Sequence, residues 1–288
     1  MNSSGIVTAD VKSAFDRDGY LVFEDFASPE ACAGLMNQAA SLLQNFDVDE
    51  HRSIFSTTDQ KHRTDDYFLS SGDKVRFFLE EEAIDEAGNL RQPVEQSINK
   101  IGHAMHDLDP VFGAFSRDPR LEEIVTELGM GDPRLLQSMY IYKQPRIGGV
   151  VTCHTDSTFI YTEPLSCIGL WFAMEDATLE NGCLHVLPGG HKAPLKSRFR
   201  RDGAGGVTTD VMDESPWPEP VAGPPYVALE AKAGTLVVLH GLVPHWSAPN
   251  RSPRSRQAYT LHLVDGSAAY PADNWLQRAP DFPVRGFN

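Results

Sequence analysis

The chain has 288 residues, 41% of them hydrophobic and 23% charged, with a formal net charge of −15 at neutral pH. This length allows a full core, and the composition is that of a soluble globular protein. The charge argues against nucleic acid or an anionic membrane as the main partner, so an anionic ligand needs enclosed arginines or lysines. The cysteines Cys32, Cys153, Cys167 and Cys183 include no C-x-x-C pair, and a chain of this size needs no disulfide staples. The N-terminus lacks the apolar run of a secretory leader, no window approaches a membrane span, and the final residues do not spell the S-K-L address. The expected location is the cytoplasm, and the expected organisation is one domain over residues 1–288.

In chain order, Gly19-Tyr20-Leu21-Val22-Phe23 predicts a short strand from its β-branched and aromatic content. Ser28-Pro29-Glu30 predicts a helix start, with Ser28 as N-cap and Pro29 in the first turn, and Leu35, Ala39, Leu42 and Leu43 continue it at helical spacing. Val94, Ile98, Ile101, Met105 and Leu108 predict a second helix over 92–108, and a third runs from Pro119 to Leu128 before Gly129. From Leu135 the pattern changes to short strands, at about 137–144, 149–154, 167–175, 183–187, 226–230, 235–240, 245–248 and 256–264. That many short strands with turn signals between them predict a sandwich or barrel. Asn181-Gly182 predicts a type I′ hairpin turn. The segment 192–225, rich in glycine and proline and carrying Lys196, Arg198, Arg200 and Arg201, reads as a mobile insert or lid.

The chemistry centres on His154-Thr155-Asp156. On a strand over 150–160, the His154 and Asp156 side chains would share a face. A third ligand would complete a triad of two histidines and one carboxylate, the set that suits non-haem iron(II) and leaves positions open. His245, after the strand Thr235–His240 and a turn, is the candidate. His240 closes an apolar strand and reads as a packed core histidine, while Cys153 faces away from His154 as a buried, inert thiol. Arg256 opens the last strand, which we expect beside that of His245. Its planar fork would pair with a carboxylate, with Ser247, on the face of His245, as a second donor. Arg251 and Arg254 read as solvated surface charges.

Over Phe15 to Val264 the sequence resembles the phytanoyl-CoA dioxygenase family, in its branch of domain-containing proteins. The resemblance rests on FDRDGYLVFEDF, TDDYFLSSGDKVRFFLEE, INKIGHAMH, SMYIYKQP, HTDSTFIYTEPL, GLWFAMEDATLENGCL and PHWSAPN followed by Arg256. It implies a mainly β fold, a double-stranded β-helix (jelly roll, cupin-like) over about 135–265, flanked by an N-terminal helical part over about 1–134. It further implies iron(II) on His154, Asp156 and His245, and 2-oxoglutarate on Arg256 and Ser247 with contacts from Lys100, Met139 and Trp171. Read on their own, Lys100 is an ordinary helix residue and Met139 and Trp171 are core. The implied reaction converts 2-oxoglutarate and O₂ to succinate and CO₂ while oxidising a small organic molecule, with ascorbate as a stimulant. With Asp156 present, hydroxylation or a related oxidation is expected rather than halogenation. The alternatives are a natural-product biosynthetic oxygenase of the same family and a non-catalytic metal- or small-molecule-binding β-helix protein. A serine or cysteine hydrolase fits less well, since no G-x-S-x-G elbow is present. Neither the substrate nor the oligomeric state is legible.

Overall fold

Helix boundaries follow the caps that the sequence supplies. The computed structural model describes residues 6–48, 53–55 and 66–288; Thr64 and Asp65, which open one of the motifs above, lie outside them. Helix α1 (Ala9–Asp18) starts under the Thr8 hydroxyl and stops at Gly19, whose φ of +82° favours glycine. Helix α2 (Pro29–Leu43) starts as expected, with Ser28 Oγ accepting from the Ala31 amide at 3.2 Å. Strand β1 (Tyr20–Phe23) lies between the two helices, and β2 (Ile54–Phe55), α3 (Asp66–Leu69) and β3 (Val75–Glu80) follow them. Strand β4 (Ile98–His103), α4 (Met105–Leu108), α5 (Pro110–Ser116) and α6 (Pro119–Glu127) complete the N-terminal part.

The remaining strands are β5 (Pro133–Lys143), β6 (Val151–His154), β7 (Ile168–Ala173), β8 (Leu184–Val186), β9 (Ser197–Arg201), β10 (Val207–Val211), β11 (Val227–Leu229), β12 (Leu236–His240), β13 (His245–Ser247) and β14 (Arg256–Asp265). A major sheet runs β1-β12-β7-β14-β5-β4-β3-β2 and a minor one runs β11-β8-β13-β6. From β5 to β8, and again from β11 to β14, successive strands alternate between the two sheets. This alternation is the winding of a double-stranded β-helix, in agreement with the sequence expectation. Trp171, Ala173, Val237, Leu239 and Ala258 of the major sheet meet Leu184, Val186 and Leu229 of the minor one. The other face of the major sheet, with Leu170, Phe172, Leu236, Val238 and Leu261, packs on Leu35, Ala39, Phe112, Leu121 and Ile124 of the helices. Burial on both faces explains why β7 and β12 read as unbroken apolar runs.

Two expectations are corrected. Residues 92–108 do not form one helix: Val94–Gln96 is a single 3-10 turn, Ile98–His103 is strand β4, paired with β3 and β5, and only Met105–Leu108 is α-helical. Its apolar residues happen to fall at helical spacing, and burial on both faces removes the alternation that marks a strand. Strand β3, its partner, was not anticipated. Asn181-Gly182 does not close a hairpin, because β7 and β8 belong to different sheets. Gly182 has φ +88° but Asn181 stays in an ordinary conformation. Asn181 instead accepts from the Thr178 amide and donates to the carbonyls of Asp176 and Ser255. The segment 192–225, expected as an insert, contains a ribbon of β9 and β10. Among the described residues no helix is long and apolar enough to cross a membrane.

Candidate metal and carboxylate site

Strand pairing in the minor sheet places His154, at the end of β6, directly opposite His245, at the start of β13, with ring centroids 4.3 Å apart. The predicted strand over 150–160 ends at His154. Thr155 is still extended, and a single turn begins at Asp156, so one extended residue suffices to bring both side chains to one side. Asp156 Oδ1 lies 3.8 Å from His154 Nε2 and 3.6 Å from His245 Nε2. The three candidate ligand atoms all lie within 4.8 Å of one another. His154 Nδ1 donates to the Thr152 carbonyl and His245 Nδ1 to the Val243 carbonyl, which sets both tautomers with the unprotonated nitrogen at Nε2, on the side of Asp156. This donor set fits a metal ion.

Burial alone would raise the pKa of Asp156, but the imidazoles of His262, His245 and His154 outweigh it and hold the carboxyl below the usual range. His262 Nε2 is 3.3 Å from Asp156 Oδ1. This residue was missed, although its signal is present: Arg256, Ala258, Thr260 and His262 share one face of β14 by alternation. Gly169 on β7 is the second omission. A Cβ there would meet Asp156 Oδ2 at 2.5 Å, so the carboxylate occupies space that only glycine leaves.

Arg256 reaches the same cavity from the opposite sheet. Strand β14 pairs with β5 and β7, not with β13, so the expectation of neighbouring strands is corrected: the arginine faces the histidines across the sandwich. It is fully buried, and its Nε and Nη1 have no hydrogen-bond partner among the described residues. Loss of solvent lowers its pKa to about 10, which leaves it cationic at neutral pH. The buried Ser247 Oγ, on β13, likewise has no partner there. A carboxylate answers all three atoms. Lys143, also overlooked, is buried beside Arg256 and donates to the carbonyls of Gly149 and Ala248 at 2.6 and 2.8 Å.

The cavity of about 210 Å³ is lined by the three triad residues together with Arg256, Ser247, Lys100, Met139 and Trp171. The Lys100 ammonium lies over the Phe55 ring and comes from strand β4, not from a helix. His240 lies elsewhere, with Nδ1 accepting from the Leu242 amide and its ring against Phe15 and His191. Cys153 is half-buried rather than fully buried, and its Sγ contacts the Tyr226 hydroxyl at 3.3 Å. Arg251 and Arg254 are exposed and pair with Glu82 and Glu180.

Residues 15–258 match the family profile described as phytanoyl-CoA dioxygenase (PhyH). The chain belongs to this family. It is 46% identical to a phytanoyl-CoA dioxygenase of Arabidopsis thaliana, over 97% of this chain and 96% of that one. It is 44% identical to phytanoyl-CoA dioxygenase domain-containing protein 1 of Mus musculus, over 93% and 94%. Membership of the phytanoyl-CoA dioxygenase family makes the protein an oxidoreductase. Among solved structures, EctD from S. alaskensis, bound to 2-oxoglutarate and 5-hydroxyectoine, superposes with a TM-score of 0.62 at 21% identity, covering 97% of this chain and 90% of that one. The epimerase SnoN, in complex with Fe3+, alpha ketoglutarate and nogalamycin RO, gives a TM-score of 0.62 at 17% identity, covering 94% and 89%. At these identities the superpositions establish the shared fold.

Proposed function

We propose that this protein is an iron(II)- and 2-oxoglutarate-dependent oxygenase that oxidises a small organic substrate, with 2-oxoglutarate and O₂ converted to succinate and CO₂. The observation that carries this reading is the pairing, in one cavity, of the His154–Asp156–His245 cluster with an arginine and a serine whose buried polar atoms lack partners. His154, Asp156 and His245 would hold the iron. Arg256 and Ser247 would hold the far carboxylate of 2-oxoglutarate, with Lys100, Met139 and Trp171 around its chain. Iron, when bound, supplies the activation of oxygen.

The protein's own part is orientation and exclusion. The backbone carbonyls of Thr152 and Val243 fix the imidazole tautomers, and Gly169 leaves room for the Asp156 carboxylate. Sheet packing removes water from around Arg256, so the ion pair with a carboxylate forms in a poorly screened setting. With a carboxylate rather than a small residue at 156, we read the reaction as hydroxylation or a related oxidation. We read the chain as a single oxygenase domain with a small molecule as its partner. Its cysteines are all free thiols, which suits the reducing cytoplasm.

The test is an anaerobic titration with iron(II) and then 2-oxoglutarate, following the visible metal-to-ligand charge-transfer band. The expected band is absent in His154→Ala, and Arg256→Leu keeps iron but binds 2-oxoglutarate about a hundredfold more weakly, roughly 3 kcal/mol. Bound iron without a band would favour a non-catalytic binding protein.

A further inference from the structure

The cavity does not end at the iron and carboxylate groups. From His154 an aromatic wall continues through Phe159 (ring centroids 5.8 Å), Phe199 (5.6 Å from Phe159) and Trp275 (6.4 Å from Phe199). Trp275 stacks on Phe68 at 4.5 Å and meets the ring of His103 at 5.3 Å and 80°. Phe68, His103, Phe159, Phe199 and Trp275 all line the cavity. Two polar atoms in this apolar wall, His103 Nε2 and Trp275 Nε1, are buried without a hydrogen-bond partner among the described residues. Buried polar atoms without partners are rare, and each calls for an explanation.

The role of each atom is fixed. The Ser71 hydroxyl donates its hydrogen to the Phe68 carbonyl at 2.5 Å, so at 2.7 Å from His103 Nδ1 its oxygen accepts. His103 therefore carries its proton on Nδ1 and presents a bare lone pair at Nε2. Complete burial, reinforced by the charge of Lys100, keeps this imidazole neutral by holding its pKa well below the ordinary value. The indole N–H of Trp275 can only donate. One acceptor and one donor on touching rings match a group that both donates and accepts.

Among the described residues, the arginines and the lysine that flank this end on β9 and the tail already have counterparts. Arg198 binds Asp273 and Asn274, Arg201 binds the carbonyls of Leu69 and Trp275, Arg278 binds Asp107, and Lys196 binds Asp213. The phosphates of a coenzyme A ester would find these partners taken.

We propose that the substrate is a neutral, largely apolar molecule whose hydroxyl group donates to His103 Nε2 and accepts from Trp275 Nε1–H. This assignment rests on the oxygenase reading, whose substrate it specifies. A ligand without the hydroxyl leaves both wall atoms unpaired, so the site discriminates against it.

The test uses ligand-observed NMR titrations of the intact protein with 2-phenylethanol, its methyl ether, ethylbenzene, 3-phenylpropanoate and phenylacetyl-coenzyme A. The alcohol is expected to bind about tenfold or more tightly than the ether, which cannot donate, and the ether more tightly than the hydrocarbon. His103→Phe should remove the difference between alcohol and ether, and Trp275→Phe the difference between ether and hydrocarbon. Equal binding of alcohol and ether, tighter binding of the carboxylate or the coenzyme A ester, or no binding of the alcohol would each overturn the proposal. The 2-oxoglutarate charge-transfer band of the same wild-type sample separates the two failures. If the band forms and the alcohol shows no preference, only the substrate assignment falls; if no band forms, the oxygenase reading falls. The two single variants are independent, so loss of fold in one leaves the other half of the test standing.

Discussion

At the scale of the residue, the histidines sort by what their ring nitrogens face. His245 gives Nδ1 to a backbone carbonyl and points Nε2 at Asp156, whereas His240 accepts from the Leu242 amide and packs on Phe15. His245→Ala should therefore abolish iron binding in an anaerobic titration with little change in fold. His240→Ala should keep iron and lose about 1–2 kcal/mol of stability in urea unfolding. Equal loss of iron in both variants would reverse this assignment. Glu80 is a residue of another kind: a buried carboxyl in the cavity wall, with Oε1 unpaired among the described residues and a pKa raised by burial to about 7. Because the folded state binds this proton more tightly than the unfolded chain, the contribution to stability is fully present below about pH 4.5 and is lost as pH rises through 7. Glu80→Gln should thus gain up to about 2–3 kcal/mol relative to wild type on going from pH 5 to pH 8, read from urea midpoints. A parallel pH dependence in the two proteins would rule out this role.

At the scale of the element, the parts that could be read from sequence were local and the parts that could not were paired at long range. His154 and Asp156 need one extended residue between them, and His245 with Ser247 needs only the alternation of a three-residue strand, so their grouping is written in short spacings. The strands from 135 onward that build the two sheets of the β-helix were found to within a few residues because glycine, proline and asparagine punctuate them, while β9 and β10 inside the 192–225 insert were not. Strand β4 was misread because both its faces are covered, and β3 went unseen for want of the partner that makes it a strand. The position of Arg256 across the sandwich, rather than beside His245, depends on which sheet β14 joins, and no local pattern records that. Gly169 shows the cost of such pairings. Gly169→Ala on β7 would press a methyl against Asp156 Oδ2, shifting the carboxylate and weakening iron at least tenfold. The price in global stability should stay within about 1–3 kcal/mol. Unchanged iron affinity would mean that the carboxylate moves freely.

At the scale of the whole molecule, one carboxylate ties two arginines of the chain after β14 to the N-terminal part. Asp107, with no solvent exposure, meets Arg117 at 2.6 Å, Arg278 at 2.9 Å and Arg285 at 3.4 Å. Although burial opposes ionisation, His106 and the arginines hold this carboxyl below the usual range, so its contribution is present at neutral pH and is lost only as pH falls into the acid range. Asp107→Asn leaves three arginines without their shared anion and should cost about 3–5 kcal/mol at pH 7, with the difference from wild type shrinking in acid. A variant as stable as wild type at pH 7 would show that this junction is dispensable.

The tail that Asp107 helps to fasten also delivers Trp275 to the cavity, whereas the residues proposed to hold iron and 2-oxoglutarate lie on strands β4 to β14 and the turn that follows β6. On the proposed roles, Trp275 is the one member of the substrate pair that lies outside the strands. Exchanging residues 266–288, together with a compensating change at His103 at the end of β4, is accordingly a short route to a new selectivity, because it leaves strands β5 to β14 as they were.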